Sequence, residues 1–249
     1  MVRASFAFAV GFMLIVAPNL SSAAQEQIPA YVTAAVNDAG RSAAEREADA
    51  VRQPADTVTF STMKPGDVVA DFLPGRGYYT RIFSKVVGTE GKVYAIVPQE
   101  NLERRATAAD AVNAIAVDAG YSNVEVASPS MAAFTTPEPV DIVWTSDNYH
   151  DVRNQGDAEA ILPLNQAIFD SLKPGGVYFV VDHRAADGTG AEEKRENHRI
   201  DRETLISDIT RAGFVLDAES DALARPEEDL STHSSFASSQ LILRFRKPQ

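Results

Sequence analysis

An aspartate and two glycines form the most informative group of residues in this chain. An apolar stretch runs through Asp71 into a tight turn that contains Gly75 and Gly77, and a helical pattern follows the turn. A strand, a glycine-rich turn and a helix in that order present backbone N–H groups and the positive end of a helix to a ligand. The sequence therefore predicts a pocket for a nucleotide-like molecule at this turn.

The pattern after the turn supports a helix and excludes two other classes of site. Tyr79, Ile82, Phe83 and Val86 fall on one helical face, and Gly88 supplies a stop. No Gly-Lys-Ser/Thr phosphate loop and no Gly-x-Ser-x-Gly elbow occurs in the sequence. Both ATP-driven chemistry and serine hydrolysis are therefore disfavoured.

Three of the four histidines are expected near the same rim of the sheet. His150 follows the fourth predicted strand, His183 follows the fifth, and His198 precedes a helix. Because imidazole titrates near neutral pH, His150 or His183 could act as a general base that deprotonates a hydroxyl or amine of a substrate. Asp147 is expected close by. The alternative is that these residues only hold loops in place through hydrogen bonds.

A metal site is a further alternative for the same residues. His150, Asp151, His183 and His198 carry suitable imidazole and carboxylate ligands. Their spacing matches no compact motif such as His-Glu-x-x-His, so we predict no bound metal. Metal-dependent chemistry stays open as a third possibility.

Apolar segments alternate with helical ones along most of the chain. Strands are expected at residues 68–72, 92–97, 123–126, 140–145, 177–181, 214–220 and 240–245. Helices are expected at 79–87, 102–119, 157–172 and 201–212. This alternation predicts a parallel sheet with helices on both faces, closed by a hairpin-like pair of strands.

The first residues differ from the rest. Residues 1–24 combine Arg3, a short apolar run and a small-residue site ending at Ala24, which predicts a cleaved signal peptide and an exported, periplasmic or secreted protein without stable membrane insertion. Residues 25–53 are expected to be helical and to pack over the edge of the pocket. The absence of cysteine excludes disulfides and thiolate metal sites, and the net charge of −12 disfavours nucleic acid as a partner.

Residues 54–249 resemble the class I S-adenosylmethionine-dependent methyltransferase superfamily. The matching pieces are Met63-Lys-Pro-Gly-Asp-Val-Val-Ala-Asp71, Pro74-Gly-Arg-Gly77, Gly91-Lys-Val-Tyr-Ala-Ile96, Leu172-Lys-Pro-Gly-Gly176 and Ala212-Gly-Phe214. The chain is also similar to predicted exported methyltransferase-like proteins that share Gly-Tyr-Tyr-Thr and Tyr-His-Asp segments. The resemblance implies a Rossmann-like, doubly wound, seven-stranded sheet, mostly parallel with an antiparallel last strand.

The resemblance also implies a cofactor and the residues that hold it. Asp71 would lie under the methionine end of S-adenosylmethionine, with Leu73, Gly75 and Gly77 forming the loop around it. The family's acidic residue after the second strand is replaced here by Val97, so Glu100 is expected to substitute for it. Ser128-Pro129-Ser130 stands where an acidic residue usually contacts the adenine.

The expected function is transfer of a methyl group from S-adenosylmethionine to a small-molecule acceptor. The alternative is an exported, catalytically inactive protein that keeps the fold and binds another ligand. These two functions differ in whether the loop at residues 73–77 accepts the cofactor.

Overall fold

The computed structural model describes residues 27–155, 158–190 and 195–249. They form a seven-stranded sheet in the order β3-β2-β1-β4-β5-β7-β6. The strands are β1 (Val68–Phe72), β2 (Lys92–Ile96), β3 (Val124–Ala127), β4 (Val140–Ser146), β5 (Leu172–His183), β6 (Val215–Ser220) and β7 (Gln240–Arg246). Strands β1 to β5 pair in parallel, whereas β7 runs antiparallel to both β5 and β6. The predicted Rossmann-like sheet and its antiparallel last strand are confirmed.

The described residues form nine α-helices around this sheet. They are α1 (Ala30–Val36), α2 (Ala43–Arg52), α3 (Pro54–Phe60), α4 (Tyr78–Val87), α5 (Gln99–Arg104), α6 (Asp110–Ala116), α7 (Tyr149–Asn154), α8 (Ala158–Ser171) and α9 (Arg202–Thr210). Helices α1, α4 and α6 contribute to one core cluster, and α8 and α9 contribute to the other. The sheet is therefore covered on both faces, as the sequence predicts.

Side-chain alternation along the strands explains the two cores. Val69 and Trp144 pack on the face that carries α4, whereas Ala70 and Val143 pack on the opposite face. A parallel strand buried on both sides reads as a continuous apolar run, which is why β1 and β4 are visible in the sequence.

Helices α3 and α7 were not expected from the sequence, and two of the expected elements have different bounds. The helix expected at 102–119 is two helices, because Arg105 adopts an extended conformation (φ −151°, ψ 102°) and ends α5. Helix α6 then buries Val112 and Ile115 in the core. Strand β5 begins at Leu172 rather than after the Lys-Pro-Gly-Gly turn, because Leu172 already pairs with Val140 before a register shift. Helical periodicity alone does not show such interruptions.

The N-terminal part of the described chain supplies α1 and α2. The predicted signal peptide lies outside the described residues, so its cleavage stays a prediction. Among the described residues, no helix combines the length and apolarity that a bilayer crossing needs. Buried Arg41 lies between these two helices and pairs with Asp49 of α2 at 2.5 Å.

Candidate active site

The loop between β1 and α4 is built from left-handed backbone conformations. Leu73, Gly75 and Gly77 have φ values of 60°, 58° and 79°. The Leu73 amide donates to the Ile96 carbonyl, and the Gly77 amide donates to the Pro74 carbonyl. Within the described part of the chain, the amides of Gly75 and Arg76 have no backbone acceptor. The turn therefore offers two free N–H donors next to the N-terminus of α4.

A cavity of about 720 Å³ lies beside this loop. The carboxyl ends of β1 and β4 form its base, the loop forms one wall, and α2 covers it. Ala111 and Ala114 of α6 also contribute. Its ionisable lining residues are Glu45, Arg52, Asp71, Arg76, Arg81 and Asp147 together with two tyrosines, Tyr78 and Tyr79. The position beyond the strand ends is where open α/β sheets bind ligands.

Asp71 is the buried acid of this cavity. Its side-chain oxygen accepts a hydrogen bond of 2.6 Å from the Thr80 hydroxyl, and the residue is 3% exposed. Burial raises the pKa of Asp71 to about 7, although Thr80 and the positive charge of Arg52 pull it downward. Burial disfavours the ionised form of Asp71, and a cationic group bound beside it would stabilise that form.

Arg52 joins α2 to the floor of the cavity. Its guanidinium lies 3.1 Å from an Asp147 oxygen and close to the rings of Tyr78, Tyr79 and Phe236. Asp147 has a φ of 59°, which is uncommon for a residue other than glycine. Leu73 and Asp147 thus share a strained conformation and both line the cavity, a pattern found at binding sites.

The structure brings together four of the residues that the sequence singled out. Asp71, Leu73, Gly75 and Asp147 line the cavity. The Leu73 side chain packs against the second core cluster.

Gly77 and Glu100 do not line the cavity. Gly77 faces Ile115 of α6. Both Glu100 oxygens accept from the Met131 amide at 3.0 and 2.9 Å, so the predicted ribose contact is replaced by a contact with the loop after β3.

The two histidines predicted as bases lie behind Asp147 rather than in the cavity lining. His150 Nδ1 donates to Asp182 at 2.5 Å, whereas His183 Nε2 lies 3.9 Å from an Asp147 oxygen. Burial acts to lower the pKa of His150, but Asp182 and Asp151 outweigh it and raise the pKa to about 10. Burial lowers the pKa of His183, although Asp147 draws it upward. Because His150 holds its proton at neutral pH, His183 is the better candidate of the two for accepting one, although it does not line the cavity.

The fold has solved counterparts among methyltransferases. A SAM-dependent methyltransferase from Aquifex aeolicus is 20% identical and superposes with a TM-score of 0.53 over 76% of this chain and 87% of its own. The N-methyltransferase NodS from Bradyrhizobium japonicum WM9 is 13% identical, with a TM-score of 0.52 over 83% of this chain and 97% of its own.

A third counterpart is longer than this chain. The S-adenosylmethionine-dependent methyltransferase SibL, solved in its apo form, is 16% identical with a TM-score of 0.53 over 76% of this chain, which spans about half (52%) of SibL. No family model matches the sequence, and no curated protein matches it at a significant level. The architecture is that of the methyltransferase fold.

Sequence reasoning missed the residues that α2 contributes. Glu45 and Arg52 line the cavity, and Glu45 pairs with Arg81 of α4 at 2.9 Å. The only signal was the expectation that residues 25–53 cover the pocket edge. The packing of a polar helix decides which of its charged residues face the cavity. The sequence alone does not show that packing.

The two loop glycines differ in what their replacement costs. A Cβ at Gly77 lies 2.2 Å from the buried Ile115 Cδ1, whereas a Cβ at Gly75 meets no atom within 4 Å. Both positions have positive φ, so each alanine costs about 1 kcal/mol in backbone strain. We expect Gly77→Ala to lower the free energy of unfolding by about 2–3 kcal/mol and Gly75→Ala by about 1 kcal/mol. Urea unfolding of both variants measures the difference. Equal losses in the two variants would show that contact with Ile115 adds nothing to the cost of alanine at Gly77.

Proposed function

We propose that this protein transfers a methyl group from S-adenosylmethionine to a small-molecule acceptor. The observation that carries the proposal is the buried Asp71 carboxylate in a cavity of about 720 Å³ beside the free amides of Gly75 and Arg76. That volume falls within the range of about 300–1,000 Å³ that is usual for small-molecule sites. The methyltransferase fold of the structural counterparts supports the same function by analogy.

The charges in the cavity match the methionine end of S-adenosylmethionine. The ammonium group of the cofactor would bind the Asp71 carboxylate, and its carboxylate would accept from the amides of Gly75 and Arg76. Arg76 is exposed and lines the cavity, so its guanidinium adds positive charge on the same side. Opposite charges are thus placed for both ionised groups of the amino acid moiety.

Methyl transfer requires little covalent help from the protein. The bond between the sulfonium sulfur and the methyl carbon breaks as an oxygen or nitrogen of the acceptor forms a new bond to that carbon. Positioning of the two molecules supplies most of the rate enhancement. Asp147 would orient the acceptor from the cavity wall and take up the proton that the acceptor loses, and His183, whose Nε2 lies 3.9 Å from an Asp147 oxygen, would receive that proton from Asp147.

A second function is favoured by the contacts of two other residues. Glu100 is held by the Met131 amide, and Val97 at the end of β2 is 4% exposed. The carboxylate that would hold the ribose is therefore absent from the cavity lining. This arrangement favours an exported, catalytically inactive protein that binds another small ligand at the same place.

Calorimetric titration with S-adenosylmethionine separates the two functions. We expect one binding site per chain with a dissociation constant below about 100 μM, equivalent to about −5.5 kcal/mol. Tyr79 lines the cavity and lies 4.8 Å from Trp144, ring centre to ring centre, so tryptophan fluorescence gives a second readout. No heat and no fluorescence change at millimolar cofactor would overturn the methyltransferase proposal and leave the binding protein.

A further inference from the structure

All four histidines of the chain lie next to one another. The ring centres of His183 and His150 are 5.7 Å apart, those of His150 and His198 are 5.5 Å apart, and those of His198 and His233 are 4.9 Å apart. They come from β5, α7 and two separate loops. Of the four, only His183 contacts the cavity residue Asp147, so the cavity does not account for the positions of the other three histidines.

Three ligand atoms of this group converge around one point. The Asp151 Oδ1 atom lies 3.3 Å from His150 Nε2 and 2.9 Å from His198 Nδ1, and all three atoms lie within 4.8 Å of one another. A zinc ion at its usual bond lengths holds neighbouring ligand atoms about 3.3–3.5 Å apart. We propose that His150, Asp151 and His198 bind a divalent transition-metal ion, which displaces the proton from His150 Nε2 as it binds.

Asp182 positions the first of these ligands. Its carboxylate accepts from both the backbone amide (2.7 Å) and the Nδ1 of His150 (2.5 Å), and it is fully buried. The ring is therefore held with Nε2 directed toward Asp151 and His198. A carboxylate behind a ligating imidazole is the usual outer support of a metal site, and it makes the imidazole a stronger ligand.

The other two ligands leave the ion accessible. The side chains of Asp151 and His198 are 50% and 46% exposed, so the site opens to solvent. Two imidazoles and one carboxylate suit zinc or iron, and three protein ligands leave room for water or a small ligand. The ion would also neutralise two carboxylates, Asp151 and Asp182, that lie against one imidazole.

This proposal departs from the sequence prediction that no metal is bound. The prediction relied on the lack of a compact ligand motif, but the structure brings His198 from a separate loop to Asp151. His198 itself has a φ of 50°, a conformation that asparagine also tolerates. His198→Asn therefore removes the imidazole while keeping the backbone of the loop.

The test is metal titration of tag-free, chelator-treated protein. We expect one equivalent of Zn²⁺ by calorimetry and one equivalent of Co²⁺ by visible absorption. Asp151→Asn and His198→Asn should each weaken Zn²⁺ binding by about tenfold or more. The control is Asp187→Asn, which removes another exposed carboxylate, paired with Arg184 in the loop after β5, and should leave the affinity unchanged.

Three outcomes would overturn the metal site. They are less than one equivalent of both metals in the wild type, unchanged affinity in Asp151→Asn and His198→Asn, or an equal loss in Asp187→Asn. Circular dichroism of the metal-free variants is the check that they fold, and in folded variants a loss of binding reports on the ligands. The titration uses no S-adenosylmethionine, and its outcome is therefore independent of the methyltransferase proposal.

Discussion

Replacing Asp71 by asparagine is expected to weaken S-adenosylmethionine binding by about a hundredfold. The amide keeps the shape of the carboxyl group and can still accept from Thr80, but it carries no charge for the ammonium group of the cofactor. A lost hydrogen bond between charged groups costs about 3 kcal/mol, which corresponds to that factor. Calorimetric titration of both proteins at pH 8 measures the loss.

The control for this variant is Glu100→Gln. Glu100 binds the Met131 amide and does not line the cavity, so its replacement should change the cofactor affinity by less than about twofold. If Glu100→Gln instead lost as much affinity as Asp71→Asn, that result would support the contact between Glu100 and the ribose that the sequence predicts. Unchanged affinity in Asp71→Asn would remove the proposed ammonium site.

The same substitution is expected to change how stability depends on pH. The pKa of Asp71 is raised by burial to about 7 in the folded protein, well above its ordinary value. An acid with a raised folded pKa contributes stability that is complete at low pH and is lost as pH rises through 7. Between pH 6 and pH 8 the free energy of unfolding of the wild type should fall by about 1.4 kcal/mol through Asp71. The asparagine variant should not show this fall.

The pH effect on the cofactor has the opposite sign. Only the ionised carboxylate attracts the ammonium group, so affinity in the wild type should rise as pH increases through 7. Urea unfolding and calorimetry at pH 6, 7 and 8 follow both properties in the two proteins. A stability difference that does not vary with pH would show that Asp71 does not titrate between pH 6 and pH 8 in the folded protein.

The fold could be predicted because its signals are local. Continuous apolar runs marked the buried strands, and Gly88 ends α4 where the pattern breaks. The helix expected from residue 201 begins where the Asp201 carboxylate accepts from the Thr204 amide at 3.0 Å. Such signals depend on a few neighbouring residues, so they can be recognised without knowledge of the tertiary packing.

Most of the site residues that could be predicted are equally local, and Asp147 was found because it follows a strand end at the same edge of the sheet. Asp71, Leu73 and Gly75 lie within one strand–turn segment and reach the cavity together. Arg52 comes from a helix that precedes β1, and its inward position depends on contacts with Tyr79 and Asp147. Residue spacing also does not show that Glu100 accepts from the Met131 amide in the loop after β3.

Replacing Trp144 by alanine is expected to lower the free energy of unfolding by about 3–5 kcal/mol. Trp144 is fully buried in β4, with the ring centres of Phe179, Tyr79 and Phe83 at 4.3, 4.8 and 4.8 Å. Its Nε1 atom has no hydrogen-bond partner among the described residues. The loss therefore comes from apolar contacts and from the cavity that alanine leaves.

Urea unfolding followed by circular dichroism measures this loss, because Trp144 is the single tryptophan of the chain. Trp144→Phe keeps a ring and should lose only about 1–2 kcal/mol. Val117→Ala changes an exposed residue (86%) and should stay within about 0.5 kcal/mol of the wild type.

A loss below about 1 kcal/mol in Trp144→Ala would contradict the packing around β4. Because Tyr79 packs on Trp144 and also lines the cavity, the alanine variant should bind S-adenosylmethionine more weakly as well. A large loss of stability with unchanged cofactor affinity would show that the core and the cavity wall are energetically separate. The binding site would then depend on the loop at residues 73–77 rather than on the aromatic packing beneath it.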